Sequence, residues 1–124
     1  GEQGVACYGR VDKPQRLAVL KNRIAERLHR EPLIIGNPES NITKIAWCSG
    51  GAQSYFEQSI ALGVDAFVTG EISEQHVHLA LESGVAFIVA GHHATERYGI
   101  QSLGEHLSDH FGLEHRFFDQ DNPV

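Results

Sequence analysis

The 124-residue chain contains no methionine, only two cysteines and no long apolar run. Two cysteines in a domain of this size do not make a disulfide scaffold, so Cys7 and Cys48 favour a reduced, cytoplasmic setting. No stretch approaches the roughly 20 apolar residues that a membrane helix requires, and the N-terminus lacks the basic-then-apolar pattern of a signal peptide. Because a translation product begins with methionine and this chain begins with Gly1, we expect the chain to be a fragment of a longer protein.

Basic residues are also scarce. Ten lysines and arginines stand against 16 aspartates and glutamates, and the formal net charge is −6. Nucleic-acid binding surfaces show clustered Lys and Arg. The one locally basic stretch, from Lys21 to Arg30, is interrupted by Glu26. Nucleic acid is therefore not an expected partner.

Short apolar runs alternate with amphipathic segments along most of the chain. Leu17, Leu20 and Ile24 recur at helical spacing after Pro14, and proline suits the first turn of a helix. The runs of β-branched and aromatic residues are typical of strands. The whole pattern predicts helices that begin at Pro14, pass through Tyr55, begin after Ser73 and carry Ile100 to Phe111, with strands at 33–35, 42–48, 65–69, 85–90 and 113–118.

Strands that alternate with helices of about a dozen residues are typical of βαβ units. We therefore predict an α/β fold with a mainly parallel or mixed sheet that is covered by helices. The glycine-rich residues 1–13 are predicted to be a linker or edge segment, and residues 14–124 a single α/β domain.

Two histidines, His92 and His93, follow the last predicted central strand, and Glu96 stands near the start of the next helix. Open α/β sheets carry their chemistry at the carboxyl ends of the strands. The His92 imidazole and the Glu96 carboxylate suit a divalent ion such as zinc, manganese or iron. Two ligands do not complete a site, however, and Glu96 in this position also complements the helix dipole. These residues alone leave both interpretations open.

Two other strand ends carry candidate functional residues. Glu71 follows the strand 65–69 and is a candidate general base or a partner that orients a ligand histidine. Ser49, Gly50 and Gly51 follow the strand 42–48, and such a turn before a helix can hold an anion on its backbone N–H groups. The spacing is not that of a P-loop or a dinucleotide fingerprint. A plain loop residue and a tight turn are the alternatives for these two sites.

Three segments occur together in an order and spacing that resemble one known family. They are Ile45–Gly51 (Ile-Ala-Trp-Cys-Ser-Gly-Gly), Gly63–Glu71 (Gly-Val-Asp-Ala-Phe-Val-Thr-Gly-Glu) and Ala90–Arg97 (Ala-Gly-His-His-Ala-Thr-Glu-Arg). With them, the chain from about Gly9 onward resembles the C-terminal half of the Nif-three-like family. Bacterial members of this family are known as GTP cyclohydrolase type 2 homologues.

The resemblance implies a two-lobed α/β protein with a dinuclear metal site in the cleft between its halves. It implies that His92 and Glu96 are metal ligands, and that His93 is a residue of the cleft wall or a neighbour of a ligand. Two histidines and an aspartate would come from the N-terminal half, which nothing in this chain matches. A complete site would hold two divalent ions (Zn, Mn, Fe or Mg), and the missing half or a partner chain would supply the other ligands. The resemblance also implies a ring-shaped homohexamer.

We therefore expect the chain to be the C-terminal half of a dinuclear metal-binding protein. The expected activity is metal-dependent hydrolysis of a nucleotide or phosphate substrate, and the isolated chain is expected to be inactive. No catalytic residue is identified by the sequence. The alternative is a non-enzymatic, metal-stabilised ring that acts as a scaffold or adaptor.

Overall fold

The computed structural model of the protein describes residues 4–123, which form one five-stranded sheet with helices packed against it. The sheet has the strand order β1-β3-β4-β5-β2. In chain order the elements are β1 (Cys7–Arg16), α1 (Leu17–Leu28), β2 (Leu33–Ile35), β3 (Asn41–Trp47), a 3-10 turn (Gln53–Tyr55), α2 (Phe56–Ala61), β4 (Ala66–Thr69), α3 (Glu74–Ser83), β5 (Ala86–Val89) and α4 (His92–Phe111).

The three central strands are parallel. β4 pairs with β3 on one side and with β5 on the other, while β1 and β2 join the two edges in antiparallel orientation. The parallel strands are connected through α2 and α3, as expected for successive βα units. The predicted α/β fold with a mixed sheet is confirmed.

Two apolar layers hold the helices on the sheet. Leu17 and Leu20 of α1 pack with Ile88 on one face, whereas Phe56 of α2 packs with Phe87 on the other. Neighbouring residues of β5 thus serve opposite layers because strand side chains alternate. The rings of Phe56 and Phe87 meet edge to face with centroids 4.7 Å apart. This packing fixes the central strands, whose carboxyl ends carry the candidate site.

The first helix does not begin at Pro14 as predicted. The strand β1 runs through Pro14 to Arg16, and α1 starts at Leu17. Pro14 lies where the pairing of β1 with β3 shifts register, between Arg10 and Gln15. Proline is tolerated there because an irregular edge strand needs no N–H at that position. Within the predicted linker or edge segment 1–13, residues 1–3 lie outside the described residues, as does residue 124 of the predicted domain.

The predicted final strand, 113–118, is wrong. Residues 113–123 have no regular secondary structure and turn back along α4. The Ser108 hydroxyl donates to the Leu113 carbonyl at 2.6 Å, and Asp119 reaches His93 and Arg97 near the start of the helix. An apolar run becomes a strand only beside a strand with which it can exchange backbone hydrogen bonds. This segment lies beside a helix instead.

The predicted loop around the two histidines is also wrong, since α4 begins at His92 itself. Gly91, at φ +94°, turns the chain from β5 directly into the helix. The helix then runs for 20 residues, through the predicted Ile100 to Phe111, and Gly112 caps its end. Within residues 4–123, none of the helices combines the length and the apolar character needed to cross a bilayer.

Candidate functional site

The carboxyl ends of the three parallel strands meet at one point of the sheet edge. Gly50, Gly70 and Gly91 follow β3, β4 and β5, and their backbones are hydrogen-bonded in a row. The Gly70 N–H donates to the Gly50 carbonyl at 2.9 Å, and the Gly91 N–H donates to the Gly70 carbonyl at 3.2 Å. A Cβ on Gly70 would lie 2.7 Å from the Gly50 oxygen and 2.7 Å from the His92 Cα. Only glycine allows the three loops to approach this closely.

His92 stands at the centre of this junction between two carboxylates. Its Nδ1 is hydrogen-bonded to the Glu71 carboxylate, and its Nε2 lies 3.0 Å from Glu96 Oε2. Glu71 reaches it from the end of β4, and Glu96 from the next turn of α4. The side chains of His92, Glu71 and Glu96 are 40%, 36% and 51% exposed, so all three are accessible to solvent.

The two carboxylates favour positive charge on His92. The hydrogen bond that His92 donates to Glu71 is the main cause that raises the pKa of His92; desolvation opposes it, and the charges of Glu96 and Glu71 add to it. An ionised carboxylate only accepts hydrogen bonds, so Glu71 holds the proton on Nδ1. In neutral His92 the lone pair therefore lies on Nε2, on the side of Glu96. A divalent cation there would replace the proton that the carboxylates attract.

The donors fit part of a metal site. Histidine nitrogen and carboxylate oxygen are common ligands, and ligand histidines usually donate their second N–H to a carboxylate, as His92 does to Glu71. Within residues 4–123, no group of three or more His, Cys, Asp or Glu side chains is arranged to hold an ion. His92 and Glu96 therefore fit two positions of a coordination shell whose remaining positions are open.

The turn 49–51 forms the wall behind these donors. The Gly50 N–H donates to Thr95 Oγ1 at 2.9 Å, which satisfies one of the backbone donors that an anion would use. A Cβ on Gly50 would collide with the Glu96 carboxylate, and one on Gly51 would lie 3.4 Å from Glu71 Oε2. Carboxylates beside the turn favour a cation there. Anion binding by Ser49, Gly50 and Gly51 stays a prediction.

His93 points away from His92. Its Nε2 lies 2.8 Å from Asp119 Oδ1, and Arg97 binds the other oxygen of Asp119 at 2.8 Å. The hydrogen bond from His93 is the first cause that lowers the pKa of Asp119. His93 and His92 nevertheless line one cleft of about 630 Å³. The other residues that line it are Glu96, Arg97, Ile100, Phe117, Phe118 and Asn122.

Some residues of this region were not predicted from the sequence. Thr95 connects the turn 49–51 to α4, because its hydroxyl accepts a hydrogen bond from the Gly50 nitrogen at 2.9 Å. Phe118, which lines the cleft, is the last residue of the predicted strand 113–118, and Asp119, which binds His93, follows it. Thr95 and Arg97 lie in the segment 90–97, which carried the family resemblance. Nothing in the local sequence around Asp119 indicates its partners.

Comparison with known proteins agrees with this architecture. The model of the Duf34/NIF3 (NGG1p interacting factor 3) family matches residues 2–123. A protein of Neisseria meningitidis serogroup B named GTP cyclohydrolase 1 type 2 homolog is 51% identical over 124 residues, which are 100% of this chain and 50% of that protein. A protein of the same name from Allochromatium vinosum is 49% identical over 121 residues, 98% of this chain and 48% of that protein.

Solved structures show the same fold. The structure described as protein ybgI, of unknown function, superposes with a TM-score of 0.92 at 43% identity, over 97% of this chain and 49% of that one. TTHA1606 from Thermus thermophilus superposes with a TM-score of 0.80 at 28% identity, over 94% of this chain and 47% of that one. The chain thus spans about half the length of the relatives it matches. The resemblance inferred from the three segments is confirmed, and the chain belongs to the Duf34/NIF3 family.

Proposed function

We propose that this chain supplies half of a dinuclear metal site in a metal-dependent hydrolase. His92 Nε2 and Glu96 would be ligands, and Glu71 would hold His92 in the tautomer that binds metal. The observation that carries the proposal is the convergence of His92 Nε2 and Glu96 Oε2 to 3.0 Å, while Nδ1 is occupied by Glu71. The remaining ligands would come from the half of the family that this chain does not match, or from a partner chain.

Two residues of the chain support the proposed ligands. Glu71 accepts a hydrogen bond from His92 Nδ1 and so fixes the plane of the imidazole. Gly50 leaves the space in which the Glu96 carboxylate lies next to His92. Divalent ions bound at such a site lower the pKa of coordinated water and neutralise charge that develops on a substrate oxygen. Because ligand histidine must be neutral, binding would weaken as the pH falls and His92 takes up a proton.

A nucleotide or another ring-bearing phosphate is the substrate class that suits the cleft. The aromatic side chains of Phe117 and Phe118 line it beside His92 and Glu96, so a planar ring could pack next to the metal ligands. The name GTP cyclohydrolase 1 type 2 homolog, carried by several relatives, is consistent with this class.

The proposal can be tested in a chimera in which this chain replaces the matched half of the Neisseria meningitidis relative. We expect the chimera to bind two divalent ions per chain, measured by inductively coupled plasma mass spectrometry, and to hydrolyse nucleotides. His92→Ala should lower both the metal content and the turnover. His78→Ala, which removes an exposed histidine of α3, should change neither. Unchanged metal content and turnover in His92→Ala would refute the proposal.

A metal-stabilised ring, such as a homohexamer that acts as a scaffold or adaptor, is the second candidate. The exposed apolar residues along α4 favour it, because they offer a surface for assembly. Chelation separates the two functions. Loss of turnover from an intact assembly supports the enzyme, whereas disassembly of a protein that never shows turnover supports the scaffold.

A further inference from the structure

A bulge in β1 forms a recess beside α1. The pairing of β1 with β3 resumes at Gln15 after Arg10, a step of five residues, while β3 advances only two. Residues 11–14 therefore bulge away from β3. Bulges re-aim side chains and are common next to active sites. We call the space that residues 10–15 enclose with α1 the β1 recess, and it consists of two adjoining cavities.

The outer cavity, of about 530 Å³, has a surplus of positive charge. Arg10 and Lys13 of β1 and Arg23 of α1 line it, against the single carboxylate of Asp12. Within residues 4–123, none of these three cations forms an ion pair. Arg23 Nη1 donates to Gln15 Oε1 at 3.0 Å, which positions the guanidinium at the cavity. In a chain with a net charge of −6, unpaired cations around one cavity favour an anionic ligand.

The inner cavity, of about 430 Å³, is lined mainly by apolar side chains and shares Val11, Gln15 and Arg23 with the outer one. Glu26 and Arg27 add charges that cancel. The apolar lining comes from β1, α1 and the sheet, and all of it is aliphatic: Val11, Leu20, Ile24, Leu28, Ile45 and Val68. The two cavities together therefore offer an anionic subsite next to an aliphatic one.

The apolar layer between α1 and the sheet is incompletely covered at this end. Leu17 and Ile42 are fully buried in the middle of the layer, whereas Ile24, Ile45 and Val68 are only partly buried. Ligand sites are typically cavities of roughly 300–1,000 Å³ in which apolar walls surround a few polar groups. The β1 recess has this size and this combination of groups.

We propose that the β1 recess binds a small amphiphile with an anionic head and an aliphatic chain, such as a medium-chain fatty-acid carboxylate. Arg23, which borders both cavities, would bind the head, and the chain would pack against Ile24 and Val68. A lining without aromatic rings favours a flexible chain over a planar ring. The recess shares no lining residue with the cleft of the candidate metal ligands, so this proposal does not depend on the proposed function.

Titration of the ¹⁵N-labelled chain with decanoate, followed by two-dimensional NMR, tests the proposal. We expect saturable shifts of the backbone amide signals of residues 11–15 and 20–28, with a Kd of about 1 mM or tighter. Two further probes separate the contributions of head and chain. Acetate has the carboxylate alone, and decyltrimethylammonium has the same chain with the opposite charge. Each should bind at least about tenfold more weakly than decanoate.

Matched variants test the two subsites. Arg23→Gln removes the charge of an exposed side chain and should weaken decanoate binding at least about fivefold. Arg116→Gln removes an exposed arginine outside the recess and should bind decanoate as the wild type does. Val11→Phe places a ring at the boundary of the two cavities, fills part of the space for the chain and should weaken binding too. Well-dispersed spectra of all three variants show that the fold is retained.

The same titration is repeated with the chimera, which should give the same Kd because the lining residues all belong to this chain. Four outcomes would overturn the proposal. They are shifts that do not saturate, equal affinity of the wild type and Arg23→Gln for decanoate, equal affinity of the wild type for decanoate and decyltrimethylammonium, and loss of binding in the chimera. The last result would mean that the other half of the protein covers the recess.

Discussion

Gly50→Ala should weaken metal binding without removing a ligand. The added Cβ would collide with the Glu96 carboxylate and lie 3.1 Å from His92 Nε2. The far end of the Glu96 side chain is flexible, so it can move away at little steric cost. That movement separates the Glu96 carboxylate from His92 Nε2, so the two proposed metal ligands no longer lie next to each other.

The expected loss of stability is small and can be matched in a control. Gly50 has φ +66°, and alanine in this left-handed region costs about 1–2 kcal/mol, offset by about 0.4–1 kcal/mol of reduced chain entropy in the unfolded state. Gly63 has φ +64°, and a Cβ added to it would meet nothing within 4 Å, so Gly63→Ala has the same backbone cost alone. Loss of the half-exposed contact between His92 and Glu96 should lower the free energy of unfolding of Gly50→Ala by at most about 1 kcal/mol more.

A zinc titration followed by the His92 ring signals in NMR spectra measures the consequence, since it detects weak binding to the isolated chain. We expect Gly50→Ala to weaken Zn²⁺ binding by about tenfold or more, in the range seen when the support of a ligand is disturbed. Gly63→Ala should bind as the wild type does, although urea unfolding shows a similar loss of stability. Equal zinc affinity in the wild type and Gly50→Ala would refute the reasoning, as would an equal loss in both variants.

Three further predictions concern the scaffold. Phe87→Ala removes a fully buried ring from the aromatic cluster and should lower the free energy of unfolding in urea by about 3–5 kcal/mol; a loss below about 1 kcal/mol would contradict the packing described. Burial alone would raise the pKa of Asp65, but hydrogen bonds from Thr43 and from the backbone N–H that follows it lower this pKa below its ordinary value. Asp65→Ala should therefore lower the free energy of unfolding by about 2 kcal/mol at pH 7. This difference from the wild type should shrink as the pH falls through the lowered pKa of Asp65, and a difference that stays constant between pH 7 and pH 2 would contradict the prediction. Burial raises the pKa of the Cys48 thiol, so an aromatic disulfide reagent should react with the exposed Cys7 at least about tenfold faster, and equal rates would be inconsistent with the structure.

The central strands could be predicted because their signals are local. The runs 66–69 and 85–90 are short, apolar and bounded by glycine or polar residues, and each is followed by a helix with its own start and stop. The helix α3 begins after Ser73, as predicted, and ends at Gly84. The ends of the chain failed because their structure depends on distant partners. Pro14 lies within a strand because β3 pairs with Arg10 before it and with Gln15 after it, and 113–118 stays irregular because it lies beside a helix.

In the candidate site, too, local sequence signals could be read in advance, whereas contacts with distant residues could not. His92, Glu96 and Glu71 were singled out because strand ends of a parallel sheet meet at one edge, and the structure brings these three side chains together. Their roles in metal binding and catalysis stay predictions. The contact of His93 with Asp119 spans 26 residues, and no spacing rule indicates it. A sequence pattern locates residues on elements, but it does not say which side chains a non-regular tail will meet.

The central claim is that His92 and Glu96 hold a metal ion, and anomalous diffraction tests it most directly. Crystals of the chimera prepared with zinc would be measured on both sides of the zinc absorption edge. We predict an anomalous peak within about 2.0–2.2 Å of His92 Nε2 and of a Glu96 carboxylate oxygen, with Glu71 still bound to Nδ1. A zinc-replete crystal with no peak there, and with His92 still paired only to its two carboxylates, would contradict it.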